Sequence, residues 1–262
     1  MLDGEIRGLL IDLDGVLYTG DTPVPGAREA IMFLTANGYP FRCLSNSTRQ
    51  CRVAIAARME KMGFSIPESS IFTPPVAAVR YMEATGKHRA FLLTTGNVEQ
   101  DFAGACTNDD PTAVDYVIVG DAGDRITYAN MNRAFRYLME GAELVALEKD
   151  RYWMAPDGLA LSAGPFVAAL ESATGKTATL MGKPSKAFFD LALRDIGLSA
   201  PGVVMIGDDI FTDVGGAQSA GMRGILVRTG KFRNDVFENS GIRPAAVINS
   251  VSDIRTLIPS LL

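Results

Sequence analysis

The chain has 262 residues, 47% of them apolar and 21% charged, the balance of a soluble globular protein with room for one large core or two smaller ones. Its 25 Lys and Arg against 30 Asp and Glu give a formal charge of −5 with no basic run, which argues against a nucleic-acid partner. No apolar stretch approaches the ~20 residues that span a bilayer, and the acidic opening MLDGEIRG lacks the basic start of a signal peptide, so a cytoplasmic protein without a membrane partner is expected.

The first buried run is GLLIDLD, which begins at Gly8 and ends on two carboxylates, Asp12 and Asp14, followed by Gly15. Helix-period residues then run from 26 to 38 and stop on Asn37-Gly38. PFRCLSNST (40–48) reads as a second strand, and 50–63 as a second helix ending on Gly63. AFLLTTGN (90–97), VDYVIVGD (114–121) and AELVALEKD (142–150) read as strands, with a helix over 130–141 between the last two. A helix over 164–175 has Pro just inside its start and Gly at its stop. ATLMGKPS (178–185) is the next strand and 186–197 the next helix. GVVMIGDD (202–209), a helix over 213–222, RGILVRTG (223–230) and AAVINS (245–250) complete the series. Strands alternating with helices predict an α/β fold with a mostly parallel sheet, whose sites form at the carboxyl ends of strands. The cysteines are Cys43, Cys51 and Cys106, an odd set without CxxC spacing, which reads as reduced thiols.

Four strands end on polar groups that suit one another. They are Asp12 with Asp14, Ser45 with Asn46, Lys183 in GKPS, and Asp208, Asp209 and Asp213 in GDDIFTD. If these ends lie side by side, they gather several carboxylates, a hydroxyl and an ammonium. Crowded carboxylates repel and call for a cation, and Mg²⁺ takes carboxylate, carbonyl and water oxygens together with phosphate. Lys183 and Ser45 suit a phosphoryl group, as do backbone N–H groups at the Asp14-Gly15 turn. One carboxylate of the DLDG pair could attack phosphorus while the other moves a proton. The plain alternative is a strand leaving the core and turning. A calcium loop does not fit, because Val16 takes the fifth ligand position. ATGKT (173–177) lacks the earlier glycine of a nucleotide loop, since that position is Leu170.

In this order, DLDGVL, LSNST, GKPS and GDDIFTDVGGAQSAGM resemble the four motifs of the haloacid dehalogenase-like phosphatase superfamily. The long stretch between the second and third motifs resembles the large cap of the NagD and nitrophenyl-phosphatase-like subclass. MIGDDIFTDVGGAQSAGMRGILVRTGKFR is most similar to the branch containing phospholysine phosphohistidine inorganic pyrophosphate phosphatase.

The resemblance implies a Rossmann-like parallel-sheet core over 1–76 plus 184–262, with an inserted α/β cap over 77–183. It implies Asp12 as nucleophile and Mg²⁺ ligand, and Asp14 as acid/base lending its carbonyl to the metal. Ser45, Asn46 and Gly15 would meet the phosphoryl group, and Lys183 would neutralise it and steady Asp12. Asp208 would be a metal ligand, with Asp209 and Asp213 behind it holding metal waters or Lys183, although Asp209 equally suits a helix N-cap and Asp213 the first turn of a helix. Tyr152 and Trp153 fall in the cap loop that faces substrate in the subclass, although packing within the cap is an equal reading. The TNPD segment of NagD-type caps is absent, and ALEKDRYWMAPDG (146–158) stands there, which leaves the substrate open. The implied partners are a small phosphorylated substrate and a second copy of the chain, joined through the cap. The same residues also suit a phosphotransferase or mutase, or a phospho-ligand-binding relative without turnover. Arg49, after the second motif, could reach a phosphate, but reads better as a surface arginine opening a helix.

Overall fold

A computed structural model describes residues 5–103, 114–155 and 157–258. Cys106, one of the three expected thiols, lies outside these residues, whereas Cys43 and Cys51 are buried and unbridged.

The elements in chain order are β1 (Gly8–Asp12), a small antiparallel ribbon of β2 (Tyr18–Thr19) and β3 (Thr22–Pro23), α1 (Ala27–Ala36), β4 (Phe41–Leu44), α2 (Arg52–Lys61), β5 (Ile71–Phe72) and α3 (Pro74–Thr85). Next come β6 (Ala90–Leu93), β7 (Tyr116–Val119), α4 (Tyr128–Met139), β8 (Glu143–Ala146), β9 (Tyr152–Ala155), β10 (Gly158–Leu161), α5 (Gly164–Thr174) and β11 (Thr179–Leu180). The chain ends with α6 (Lys186–Ile196), β12 (Val203–Gly207), a π-helical turn (Ile210–Gly215), α7 (Gly216–Ser219), β13 (Arg223–Val227), α8 (Asn234–Asn239), β14 (Ala246–Ile248) and α9 (Ile254–Leu257).

These elements fall into two compact units: Met1–Ser45, Val53–Phe72 and Lys183–Leu262 in the first, Asn46–Arg52 and Thr73–Gly182 in the second. The first is built on a six-stranded sheet in the order β14-β13-β12-β1-β4-β5, with every pairing parallel. All five residues of β1 are buried, as a central strand covered on both faces requires. Leu9, Ile11, Cys43, Val204 and Ile225 face Ala30, Ile31 and Leu34 of α1, Ile55 and Met59 of α2 and Ile254 of α9. Phe188 of α6 packs on Phe72, the next residue along β5 after Ile71 and so on the opposite face, with centroids 5.3 Å apart. Each fully buried Leu, Ile or Phe here removes enough apolar surface from water to contribute about 1.5–3 kcal/mol.

The second unit has its own four-stranded parallel sheet, β11-β8-β7-β6, over a core of Leu93, Val117, Val119, Leu144, Val167 and Leu170. Thr127 caps α4 by accepting from the Asn130 amide at 3.1 Å. Pro165 sits in the first turn of α5, and Gly175 ends that helix at φ 70°. The strand before GKPS differs from expectation. Instead of joining β1, it is β11, two residues paired with β8. Lys183 enters the first unit from the segment leading into α6, whose N-cap is Ser185, accepting from the Phe188 amide at 3.1 Å. Among the described residues, no helix is long and apolar enough to cross a membrane.

Candidate active site

The parallel register places three expected strand ends next to one another. β1 pairs with β12 through Ile11 and Ile206, and with β4 through Asp12 and Leu44. Asp12, Asp208 and Ser45 therefore leave three neighbouring strands at the same end of the sheet. Lys183 Nζ donates to Asp12 Oδ1 at 2.6 Å and to Asp213 Oδ1 at 2.7 Å. All four charged groups are buried: Asp12 is 7% exposed, Lys183 8%, Asp208 2% and Asp213 0%.

Asp213 reaches Lys183 because the backbone after β12 makes a wide turn. The Val214 amide donates back to the Asp209 carbonyl at 3.3 Å, five residues earlier, as a π-helical turn requires. At Gly216 a Cβ would fall 2.5 Å from Phe189 Cε2 and 3.0 Å from Pro184 Cα. Only glycine lets this turn approach the segment that carries Lys183, which gives the VGGA stretch a physical reason. Asp213 Oδ2 also accepts from the Asp209 amide at 3.1 Å. Asp209 takes the capping role that was one of its two expected readings: its Oδ1 accepts from the Phe211 and Thr212 amides at 2.9 and 3.0 Å.

Gly15 also needs correcting. Its N–H is expected to meet phosphate, but it donates to the Tyr18 carbonyl at 2.7 Å. What Gly15 contributes is space. At φ 83° it would place a Cβ 1.9 Å from Asp208 Oδ2, with Gly230 Cα at 3.1 Å. Asp14 is exposed, one residue beyond buried Leu13, so its carboxyl is free to meet solvent or substrate. Ser45 is half-buried, its amide donating to the Phe72 carbonyl at 3.2 Å.

Three carboxylates stand against one ammonium, and carboxylate oxygens of Asp12, Asp208 and Asp213 lie within 4.8 Å of one another. Burial pushes the Asp12 carboxyl up to about 7; Lys183 opposes the rise, and Asp213 and Asp208 add to it. Burial likewise pushes Asp208 up to about 6, against the Lys231 amide that donates to Oδ2 at 2.7 Å. For Lys183, burial works against the charged form, but the Asp12 and Asp213 carboxylates outweigh it and raise its pKa. Asp208 Oδ1 is buried and accepts no hydrogen bond among the described residues. An orphaned buried oxygen beside excess negative charge, in an all-oxygen donor set, fits a hard divalent cation.

Thr229, Gly230 and Lys231 were not singled out in the sequence. Thr229 Oγ1 donates to the Gly15 carbonyl at 2.5 Å, and the Lys231 amide holds Asp208. The signal available was a Gly closing the apolar run RGILVRTG, the same form as the other site-bearing strand ends.

Asn46, Tyr152 and Trp153 belong to the second unit. There the carboxyl ends of β6, β7 and β8 surround a cavity of about 490 Å³, lined in part by Asn46, Arg49, Asp121, Glu148 and Trp153. Arg49 lies over the Trp153 ring, 5.3 Å from its centroid, and pairs with Asp121 at 3.4 Å. It is exposed, as expected of a surface arginine, and also forms part of the cavity wall. Tyr152 does not line the cavity. It shares the outer face of the β9–β10 hairpin with Met154, Leu159 and Leu161, all more than half exposed.

Comparison with known proteins agrees with this geometry. A haloacid dehalogenase-like hydrolase model matches residues 9–105, and a HAD-hydrolase-like model matches 180–254. The bovine (Bos taurus) haloacid dehalogenase-like hydrolase domain-containing protein 2 is 44% identical over 94% of this chain and 93% of its own length. Human (Homo sapiens) phospholysine phosphohistidine inorganic pyrophosphate phosphatase is 37% identical over 97% of this chain and 94% of its own. Among solved structures, p-nitrophenyl phosphatase from Archaeoglobus fulgidus superposes with a TM-score of 0.87 at 26% identity, covering 97% of this chain and 100% of that one.

Proposed function

We propose that this chain, which belongs to the haloacid dehalogenase-like phosphatases, hydrolyses small phosphorylated metabolites through an aspartyl-phosphate on Asp12. The observation that carries the reading is the Lys183 ammonium held between Asp12 and Asp213, 2.6 and 2.7 Å away, beside the unpartnered Asp208 Oδ1. Asp12, Asp208 and the Asp14 carbonyl would hold Mg²⁺, with Asp213 behind them. When bound, that ion offsets the negative charge of the carboxylates and of a phosphoryl group.

In the first half-reaction an Asp12 oxygen forms a bond to phosphorus as the bond to the leaving oxygen breaks, and Asp14 gives that oxygen a proton. In the second, Asp14 takes a proton from water, water oxygen bonds to phosphorus, and the Asp12–phosphorus bond breaks to release inorganic phosphate. Lys183 neutralises the non-bridging oxygens throughout and keeps the unprotonated Asp12 oxygen oriented. Ser45 and Asn46 donate to the phosphoryl oxygens. Uncatalysed phosphate-monoester hydrolysis is slow enough that acceleration can reach ~10²¹, so fixed charge of this kind is the largest contribution available.

The second unit acts as the cap and selects the leaving group, and a homodimer through it and a cytoplasmic location are parts of the same reading. The test is release of phosphate from p-nitrophenyl phosphate with and without Mg²⁺. Mg²⁺-dependent release that Asp12→Asn abolishes supports the reading, and wild-type turnover by Asp12→Asn ends it.

A further inference from the structure

The cap hairpin is an unusual object. Two strands of four residues each are marginal on their own in water, and most residues of β9 and β10 are exposed. Yet this hairpin carries Trp153 into a cavity wall. Something other than a core has to fix it.

One buried side chain does so. Glu148, 6% exposed, follows β8 and stands just before the hairpin. Its Oε2 accepts from the Asp150 amide, which precedes β9. Its Oε1 accepts from Ser162 Oγ at 2.6 Å and from the Ala163 amide at 2.8 Å, both beyond β10. A single carboxylate thus ties the outgoing and returning strands of the excursion to each other. Gly164 N–H adds a bond to the Asp150 carbonyl at 3.0 Å, closing the same base. Burial holds the Glu148 carboxyl above its ordinary range, against the three donors from Ser162, Ala163 and Asp150.

The opposite wall is fixed independently. The Arg49 carbonyl accepts from the Asn97 amide at 3.3 Å, and the Cys51 amide donates to Asn97 Oδ1 at 2.8 Å. The Asp121 amide donates to Thr48 Oγ1 at 3.3 Å. The segment 46–52 is therefore held along the ends of β6 and β7 by these bonds, with Arg49 paired to Asp121. The distance from Arg49 to the Trp153 ring then depends on the hairpin, and the hairpin depends on Glu148.

We propose that Glu148 is a positioning residue for the phosphatase reaction: by clamping both ends of the β9–β10 hairpin it sets Trp153 against Arg49 and so shapes the cavity that sorts leaving groups by size and polarity. The inference rests on the proposed function, in which the second unit selects the leaving group.

Trp153 is the sole tryptophan of the chain, so its fluorescence reports the hairpin directly. The experiment compares wild type, Glu148→Ala, Glu148→Gln and Ser162→Ala by tryptophan emission with acrylamide quenching. It also measures kcat and KM on acetyl phosphate and on p-nitrophenyl phosphate, a small and a bulky leaving group. Glu148→Ala should shift emission to the red and increase quenching. It should raise KM for p-nitrophenyl phosphate about tenfold while changing acetyl phosphate turnover less than about twofold, the loss of a buried clamp read only where the leaving group meets it. Glu148→Gln keeps one acceptor and should restore part of both effects, and Ser162→Ala should move both in the same direction by less. If Glu148→Ala does not fold, the other two variants carry the test. Unchanged emission and KM, or an equal loss of kcat on both substrates, overturns the clamp. Wild-type protein that releases phosphate from neither substrate overturns instead the reading on which the clamp rests, while its fluorescence series still decides the clamp.

Discussion

The Lys183 ammonium and the Asp213 carboxylate meet at 2.7 Å, with side chains only 5% and 1% exposed. The same ammonium reaches Asp12, so Asp213 anchors the cation that the proposed nucleophile needs. Removing the cation strands buried carboxylates. Lys183→Ala should cost about 3–5 kcal/mol of stability at neutral pH, the cost of breaking a buried pair from one side. Chemical denaturation of the metal-free protein measures this. Lys183→Arg should not restore turnover, because a planar fork does not replace a compact ammonium between two oxygens.

Asp208 gives the opposite sign. Its carboxyl is pushed up to about 6 by burial, so in the metal-free fold at pH 8 its charge is held at a cost. Asp208→Asn removes that charge while its side-chain oxygen can still accept from the Lys231 amide. The metal-free variant should be more stable than wild type by about 1–3 kcal/mol. It should also lose the stabilisation that Mg²⁺ gives the wild type. Thermal melts with and without Mg²⁺ check both halves, and a wild type indifferent to Mg²⁺ would remove the cation from the account.

The pH dependence follows from the same groups. Asp12 and Asp208 have folded pKa values of about 7 and about 6, above the ordinary carboxylate value of 3.8. The folded state then binds protons that the unfolded state releases. Their contribution is fully present below pH ~4 and is lost as pH rises through 6 and 7. Over that window the metal-free protein should lose stability relative to Asp12→Asn/Asp208→Asn, and Mg²⁺ should stabilise wild type more at pH 8 than at pH 5. The difference in melting temperature between the two proteins, followed across pH, reads this out.

Gly15 offers a purely steric test. A methyl group there would stand 1.9 Å from Asp208 Oδ2, on a backbone at φ 83° that side chains avoid. Gly15→Ala should cost at least the ~1–2 kcal/mol of a left-handed alanine, and it should weaken Mg²⁺ binding by displacing Asp208. Calorimetric titration with Mg²⁺ checks the second effect.

Much of this site was legible because its chemistry is written at strand ends. Asp12 and Asp208 close buried apolar runs, and parallel pairing of β1 with β12 brings them together. Lys183 was legible as a residue but not in its route. A strand of two residues, Thr179–Leu180, carries no signal of which sheet it joins. Helix α3 was missed because Pro74-Pro75 reads as a breaker, although both prolines sit in the first turn, where no amide bond is lost. The hairpin β9–β10 was missed because YWMA and GLAL show no alternation of apolar with polar residues; one face of it is exposed apolar surface. Glu148 stands in the charged run EKD, where nothing in the sequence sets it apart, and only the fold reveals that it is buried under three donors.

The most direct measurement is an acid quench during turnover of p-nitrophenyl phosphate with Mg²⁺, followed by peptide mass spectrometry. The expected result is a phosphoryl group on Asp12, trapped in wild type and absent from Asp12→Asn. Steady turnover with Asp12 unmodified and the phosphoryl group on another side chain would contradict it.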